Sequence, residues 1–241
     1  QSQSYDTVGQ ANIKVIGAGG AGNNMVSWLY KRGVKGAEIF ACNTDQQHLK
    51  IIEADRKFLI GKDVTRGLGC GGFPQKGAEA AQESLAELKE VLKGADMVFV
   101  CAGMGGGTGT GSAPVIAQVA RDIGAIVIGT VTMPFKIERA RVDKAEHGLE
   151  LLRKSSDTVI VIDNNRLVTI AGNLPVQQAF AVANELISTM IKGIVETIAI
   201  PSLVNLDYAD VKAIMTNGGV AAIGVGHSDT NNRVEEAVKG A

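Results

Sequence analysis

The sequence predicts an α/β fold: a Rossmann-like parallel sheet, a long central helix and the beginning of a second domain. Three observations carry this. Short β-type runs alternate with segments of helical period from Ile13 to Ile162. Runs such as Met97-Val98-Phe99-Val100-Cys101 and Ile126-Val127-Ile128 are apolar without alternation, as when helices cover both faces of a parallel sheet. Glycine clusters stand between the runs and the helical segments, and 30 Gly in 241 residues is about 12%, against about 7% on average.

Each element follows in order. Ile13–Ile16 opens the series as a strand and Asn23–Lys31 has helical period; strand Glu38–Cys42 precedes helix Gln46–Glu53. A short run, Phe58–Ile60, comes before Gly77–Leu92, where Ala78, Ala81, Leu85, Leu88, Val91 and Leu92 have the i, i+3, i+4 spacing of one covering helix. Asp96–Ala102 leads to Ser112–Arg121, Ala125–Thr132 to Glu138–Arg153, and Thr158–Ile162 ends the alternation. From Val176 to Ile198 apolar residues form two adjacent stripes, the pattern of a helix buried along its length. Asn173 and Pro175 start it and Pro201 stops it, giving about 23 residues or about 34 Å. A loop (Pro201–Asp207), a helix (Tyr208–Met215), a strand (Val220–Val225) and a helix (Asn231–Lys239) follow. About 40 residues lie near the lower limit for an independent core, so the expectation is a second domain that begins here and is not completed within the 241 residues.

Composition excludes several functions. Lys+Arg 24 against Asp+Glu 25 gives a net charge of −1, so no basic face argues for nucleic acid or an anionic membrane. Cys42, Cys70 and Cys101 form no C-x-x-C and the three histidines no H-x-x-x-H pair, against zinc and against a disulfide framework. The longest apolar stretch, Ile123 to Met133, is well short of the ~20 residues that span a bilayer, and Gln-Ser-Gln-Ser-Tyr-Asp is not a signal sequence. The protein is read as cytoplasmic.

The clusters carry the chemistry. Gly17-Ala18-Gly19-Gly20-Ala21-Gly22-Asn23-Asn24 joins the first strand to the first helix, where free backbone N–H groups and the helix dipole favour phosphate. Alone, it also fits the G-x-G-x-x-G fingerprint of an NAD-dependent oxidoreductase, which further requires an acid at the end of strand two. That strand ends Ala41-Cys42-Asn43-Thr44, with Glu38 at its beginning and Asp45 beyond it. The second cluster, Gly103-Met104-Gly105-Gly106-Gly107-Thr108-Gly109-Thr110-Gly111-Ser112, again joins strand to helix and reads as a backbone nest for phosphates with hydroxyls added. The P-loop pattern G-x-x-x-x-G-K-S/T is absent, which excludes an ordinary P-loop NTPase. A third loop, Thr65-Arg66-Gly67-Leu68-Gly69-Cys70-Gly71-Gly72-Phe73-Pro74, either closes over a terminal phosphate or is a plain surface loop.

These residues resemble a known family, the tubulin-like GTPases, and within it the prokaryotic cell-division branch. Gly105-Gly106-Gly107-Thr108-Gly109-Thr110-Gly111 matches the family signature. Gly19-Gly20-Ala21-Gly22-Asn23-Asn24, Asn43-Thr44-Asp45, Pro134-Phe135 with Glu138, and Asn205-Leu206-Asp207-Tyr208-Ala209-Asp210 match further motifs in order, so that the similarity runs from about residue 12 to the end. The resemblance implies a GTP-binding domain over 1–175, a spine helix over 176–200, and a catalytic loop with the start of a C-terminal domain over 201–241. It implies GTP/GDP with Mg²⁺ as cofactors. Gly19, Gly20, Ala21, Gly22 and Asn24 would lie under the phosphates with Gly103, Gly105, Gly106, Gly107, Thr108, Gly109, Thr110 and Gly111. Asn43, Asp45, Gly71 and Gly72 would lie near the γ-phosphate and its metal ion, with no dedicated protein metal site. Pro134 and Glu138 would border the ribose with either Arg141 or Arg139, since bacterial members carry Gly after the Glu and here both arginines follow it. Asn164, Phe180 and Asn184 would meet the guanine.

Read without the family, Phe180 is a core residue on an apolar stripe, Asn184 makes a local hydrogen bond, and Glu138 with Arg141 is an i, i+3 surface pair. Asp207 and Asp210 are the acidic pair available for hydrolysis, with Asn205 beside them. They follow the far end of the spine, roughly 30 Å from the chain's own nucleotide. Read alone they cap a helix and favour its dipole. The resemblance implies instead that they act on the next subunit's γ-phosphate in a head-to-tail filament, an arrangement that does not close. It also implies division-ring adaptor partners reached through C-terminal parts beyond these 241 residues, no nucleic acid, no direct membrane binding and a mid-cell location. With much of the second domain missing, binding of GTP or GDP with weak assembly and turnover is the expectation. A non-hydrolysing GTP-binding scaffold is the remaining alternative.

Overall fold

A computed structural model describes residues 11–165, 176–199, 208–216 and 235. Six strands form one parallel sheet: β1 (Ile13–Ala18), β2 (Ala37–Asn43), β3 (Arg56–Leu59), β4 (Met97–Gly103), β5 (Ile126–Met133) and β6 (Thr158–Asp163). Their order is β3-β2-β1-β4-β5-β6. The chain therefore winds outward from β1 in one direction and, from β4, in the other. Ligands of open parallel sheets bind at such a reversal, outside the carboxyl ends of the strands. Ala18 pairs with Ala102, so β1 and β4 end level and their following loops start side by side.

Helices cover both faces, which is why the strand residues need no alternation. Ile16, Phe40, Val98, Val100 and Val127 share one core with residues of α4 (Pro74–Glu83), α5 (Leu85–Leu92), α6 (Thr108–Asp122) and α7 (Ala140–Ser155), among them Ala80, Leu88, Ile116 and Leu149. The alternate strand residues Val15, Ile39, Phe99 and Ile128 pack on the other face. There they meet Met25 and Leu29 of α1 (Gly19–Arg32), Leu49 of α2 (Gln46–Ile51), and Ile187, Ile191 and Val195 of the central helix Val176–Ala199. The central helix is thus a layer of the sheet's own core. Its 24 residues span about 36 Å.

Several boundaries differ from expectation, and three of the differences bear on the glycine clusters and the helices beside them. The helix expected over Gly77–Leu92 is two, broken at Ser84, whose Oγ accepts the Gly61 N–H at 3.0 Å from beside the one-turn α3 (Lys62–Thr65). α1 begins at Gly19 rather than Asn23, and α6 at Thr108 rather than Ser112, so both glycine clusters run into helix. Glycine's poor helix propensity hides such starts, and packing overrides it. The short helix Tyr208–Thr216 is where the spacing puts it, while the strand over Val220–Val225 and the helix over Asn231–Lys239 lie outside the described residues.

Candidate nucleotide site

Two helices begin at the reversal point, both without a cap. Neither Ala18 before α1 nor Gly107 before α6 gives a side-chain hydrogen bond, and neither first turn contains an acid. The opening N–H groups of a helix have no intrahelical partner, and the dipole makes that end positive. By contrast α2 is capped in the ordinary way: Asp45 Oδ1 accepts from the N–H of Gln47 at 2.9 Å and of His48 at 3.2 Å. The two bare N-termini border one cavity of about 290 Å³. Gly20, Ala21, Gly106, Gly107, Thr108 and Gly109 line it at the helix starts; Thr132, Pro134, Glu138, Arg141, Asn164 and Phe180 line the rest.

The glycines sort into two kinds. Some let backbones touch: a Cβ on Gly22 would lie 2.2 Å from the Cys101 carbonyl oxygen, and one on Gly111 would lie 1.8 Å from that of Pro74. Gly111 also donates its N–H to Gly107 within the helix, so of the expected phosphate set it serves α4–α6 packing. Gly19 needs its left-handed φ of 70° and lies against Gly109. Gly20 and Gly106 differ, because they have ordinary φ and, apart from one His48 atom at 3.9 Å from the Gly20 position, no neighbour within 4 Å of a Cβ there. No contact among the described residues requires glycine at these two positions, and both line the cavity. A backbone left bare there fits the close approach of an anionic ligand.

Hydroxyls and neighbouring loops hold the frame. Thr110, 2% exposed, accepts the Gly105 N–H at 2.8 Å through Oγ1, so it shapes the second loop from behind rather than facing the cavity. Thr108 Oγ1 is 2.7 Å from Thr44 Oγ1, which ties that loop to the end of β2. Asn43 Oδ1 accepts from the N–H of Thr44 and of Asp45, at 2.9 and 3.3 Å, fixing the turn that presents Asp45. The third loop is not a loose surface loop. Gly69 donates to the Thr44 carbonyl and Gln46 to that of Gly67, both at 3.0 Å. Cys70 and the N–H groups of Gly72 and Phe73 pack over Gly107, which lines the cavity, while Gly71 and Gly72 are themselves exposed and outside its lining. Lys144 Nζ donates to the Gly72 carbonyl at 2.8 Å.

At the far end, Phe180 is 42% exposed and meets Phe135 edge-on with centroids 5.4 Å apart. The stripe alone reads it as core; the structure puts it on the cavity wall. Arg141 Nη1 donates to Glu138 Oε2 at 2.9 Å, and the other carboxylate oxygen accepts the Phe135 N–H at 3.0 Å. Of the two arginines after Glu138, Arg141 lines the cavity. Asn164 is 4% exposed and its Oδ1 has no partner, so a buried acceptor faces a donor still to come. Asn184 is half-buried one turn beyond Phe180, and its carbonyl accepts the Ser188 hydroxyl at 2.6 Å. Asn24 is exposed on α1, while its neighbour Asn23 is fully buried with both amide atoms unpartnered. Met104 and Thr132 also line the cavity, outside the expected site residues, and reach it because β4 and β5 end side by side.

Asp210 is exposed on the short helix, at the opposite end of the sheet. Tyr208 of that helix donates its hydroxyl to the Asp96 carbonyl at 2.8 Å, beside the first residue of β4, whose seven residues then run about 20 Å to the glycine loop. Asn205 and Asp207 lie outside the described residues.

The cysteines are free and buried, and burial pushes the Cys42 and Cys101 thiols up to about 12. Among the described residues no three His, Cys, Asp or Glu side chains converge on a metal position, and no helix is long and apolar enough to cross a membrane.

Known proteins share this arrangement. The model of the tubulin/FtsZ family, GTPase domain, matches residues 12–172. A cell division protein FtsZ 2 of Methanocaldococcus jannaschii is 57% identical over 237 residues, covering 97% of this chain and 62% of its own length. One from Haloferax volcanii is 54% identical over 238 residues, covering 99% and 60%. The chain thus spans about three fifths of the length of these curated relatives. Among solved structures, an empty FtsZ dimer from M. jannaschii superposes with a TM-score of 0.93 at 50% identity, covering 96% of this chain and 68% of that one. A GTPγS-bound CetZ2 protofilament from H. volcanii gives 0.82 at 25% identity, covering 95% and 70%. Sheet order, paired bare helix starts and the match over two thirds of the residues agree: this chain belongs to the tubulin/FtsZ family and carries its GTPase domain.

Proposed function

We propose that the cavity binds GTP and GDP and that the chain is the GTPase unit of a self-assembling cell-division protein. The observation that carries this is the pair of uncapped, acid-free helix starts on one cavity whose other end offers an exposed aromatic ring and a buried unpartnered acceptor. The phosphates lie along Gly20–Gly22 and Gly106–Gly109, the ribose against Glu138 and Arg141, and the base between Phe180 and Asn164. Asn184 reads the base edge from the central helix. Mg²⁺ would be held by phosphate oxygens and a carboxylate, for which Asp45, at the end of β2, is the candidate. The ion would supply charge neutralisation for phosphoryl transfer to water. A dinucleotide fits worse, since the first loop alone would serve it and the second would have no ligand.

No carboxylate that could orient a water reaches the phosphate end from Asp210, which lies the length of a strand away. Hydrolysis is therefore assigned to a junction between two copies, with Asn205, Asp207 and Asp210 of one acting on the nucleotide of the next. The FtsZ dimer from M. jannaschii and the CetZ2 protofilament from H. volcanii, both similar in structure, support head-to-tail assembly. We place the protein in the cytoplasm at the division site, with adaptor proteins as further partners. Acid release of the bound nucleotide from purified protein, followed by competition with GDP, ATP and NAD, tests the assignment. Guanine nucleotide with selectivity against ATP and NAD is the expected result; preference for NAD overturns it. Asp210→Ala is expected to leave GDP binding intact and stop turnover.

A further inference from the structure

We propose that His48 is a phosphate-contacting residue of this site, donating from Nε2; the assignment rests on the guanine-nucleotide reading above. His48 stands in the first turn of α2, three residues past the Asp45 cap, and its backbone N–H is fixed on that carboxylate. Its ring is oriented by Asn43. Because Asn43 Oδ1 already accepts the N–H groups of Thr44 and Asp45, the amide's NH₂ is the end that faces the ring, with Nδ2 3.4 Å from His48 Nδ1. An amide nitrogen only donates, so Nδ1 is the acceptor, and a neutral imidazole whose Nδ1 accepts carries its proton on Nε2. The tautomer is thus set by the same asparagine that shapes the Asn43-Thr44-Asp45 turn.

Nε2 points at the phosphate loop. It is the nearest atom to the position of a Cβ on Gly20, at 3.9 Å, and nothing else lies within 4 Å of that point. Gly20 lines the cavity at the bare start of α1. No described residue accepts from Nε2. An N–H donor with its tautomer fixed and no acceptor among the described residues, beside a backbone left open for an anion, completes the cradle from the α2 side. Three helix starts then converge on the phosphates, two through backbone N–H groups and α2 through one side chain.

The alternative role for the ring is to buttress Asn43 alone. Two near-isosteric variants separate the roles, because a glutamine amide reaches the place of Nε2 and an asparagine amide the place of Nδ1. GDP and guanosine affinities, by titration of the wild-type chain, H48Q and H48N, together with each variant's thermal midpoint, make the test. A hydrogen bond to a charged group accounts for about tenfold in affinity. H48N is expected to lose about tenfold for GDP with guanosine binding unchanged, and H48Q to stay within about threefold of wild type. Equal GDP affinity for H48N and wild type, a weaker H48Q than H48N, or parallel losses for GDP and guanosine would overturn the assignment. Failure of the wild-type chain to bind any guanine nucleotide would instead sink the site itself, a distinguishable result.

Discussion

The two ends of this one sheet are finished in opposite ways. At the amino ends of the strands, side chains meet the backbone. Asp96 Oδ2 accepts the Asn12 N–H at 2.7 Å, Asp55 Oδ2 that of Ile39 at 2.7 Å, and Asp157 Oδ2 that of Val127 at 2.8 Å. Lys14, 7% exposed, donates to the carbonyls of Val91 and Lys93 at 2.7 and 3.1 Å, capping the end of α5 with a cation. At the carboxyl ends no side chain caps the first turn of α1 or α6, and glycine replaces residues that could. One end spends its polar groups on stability; the other holds donors back for a ligand.

Substitutions sharpen the contrast. The largest effect is expected at the packing glycines: Gly22→Ala drives a methyl into the Cys101 carbonyl, backbone against backbone, and should cost more than about 3 kcal/mol in denaturant unfolding. Next is Asp157→Ala at the closed end, which orphans the Val127 N–H and should cost about 1–3 kcal/mol while leaving GDP affinity unchanged. Gly106→Ala should do the reverse, lowering GDP affinity about tenfold with the unfolding midpoint unmoved, because no described residue meets the added methyl. A loss of stability there, or of affinity in Asp157→Ala, would break the comparison. Last comes Arg141→Ala, whose exposed pair with Glu138 contributes about 0.5 kcal/mol at most to stability, so any larger change should show in nucleotide affinity alone.

Much of this was legible in the sequence, for identifiable reasons. Unalternating apolar runs and glycine between strand and helix reported the sheet and the position of both loops, and Pro175 put the start of the central helix within one residue. What escaped depends on contacts distant in sequence. Ser84 interrupts a continuous helical pattern because Gly61 needs its hydroxyl. Phe180 sits on an apolar stripe yet faces a cavity, since Phe135 from the end of β5 meets it there. Glycine in a cluster does not declare whether it clears a carbonyl, as Gly111 does, or faces an open cavity, as Gly106 does. His48 carries no pattern at all until the fold sets it beside Gly20.

The most direct measurement of the open-end account is amide hydrogen exchange with and without GDP. The account predicts slowed exchange at both loops, Gly20–Gly22 and Gly107–Gly109, with the Asn12, Ile39 and Val127 amides at the closed end unchanged. Protection confined to the first loop, or spread equally over both ends of the sheet, would contradict it.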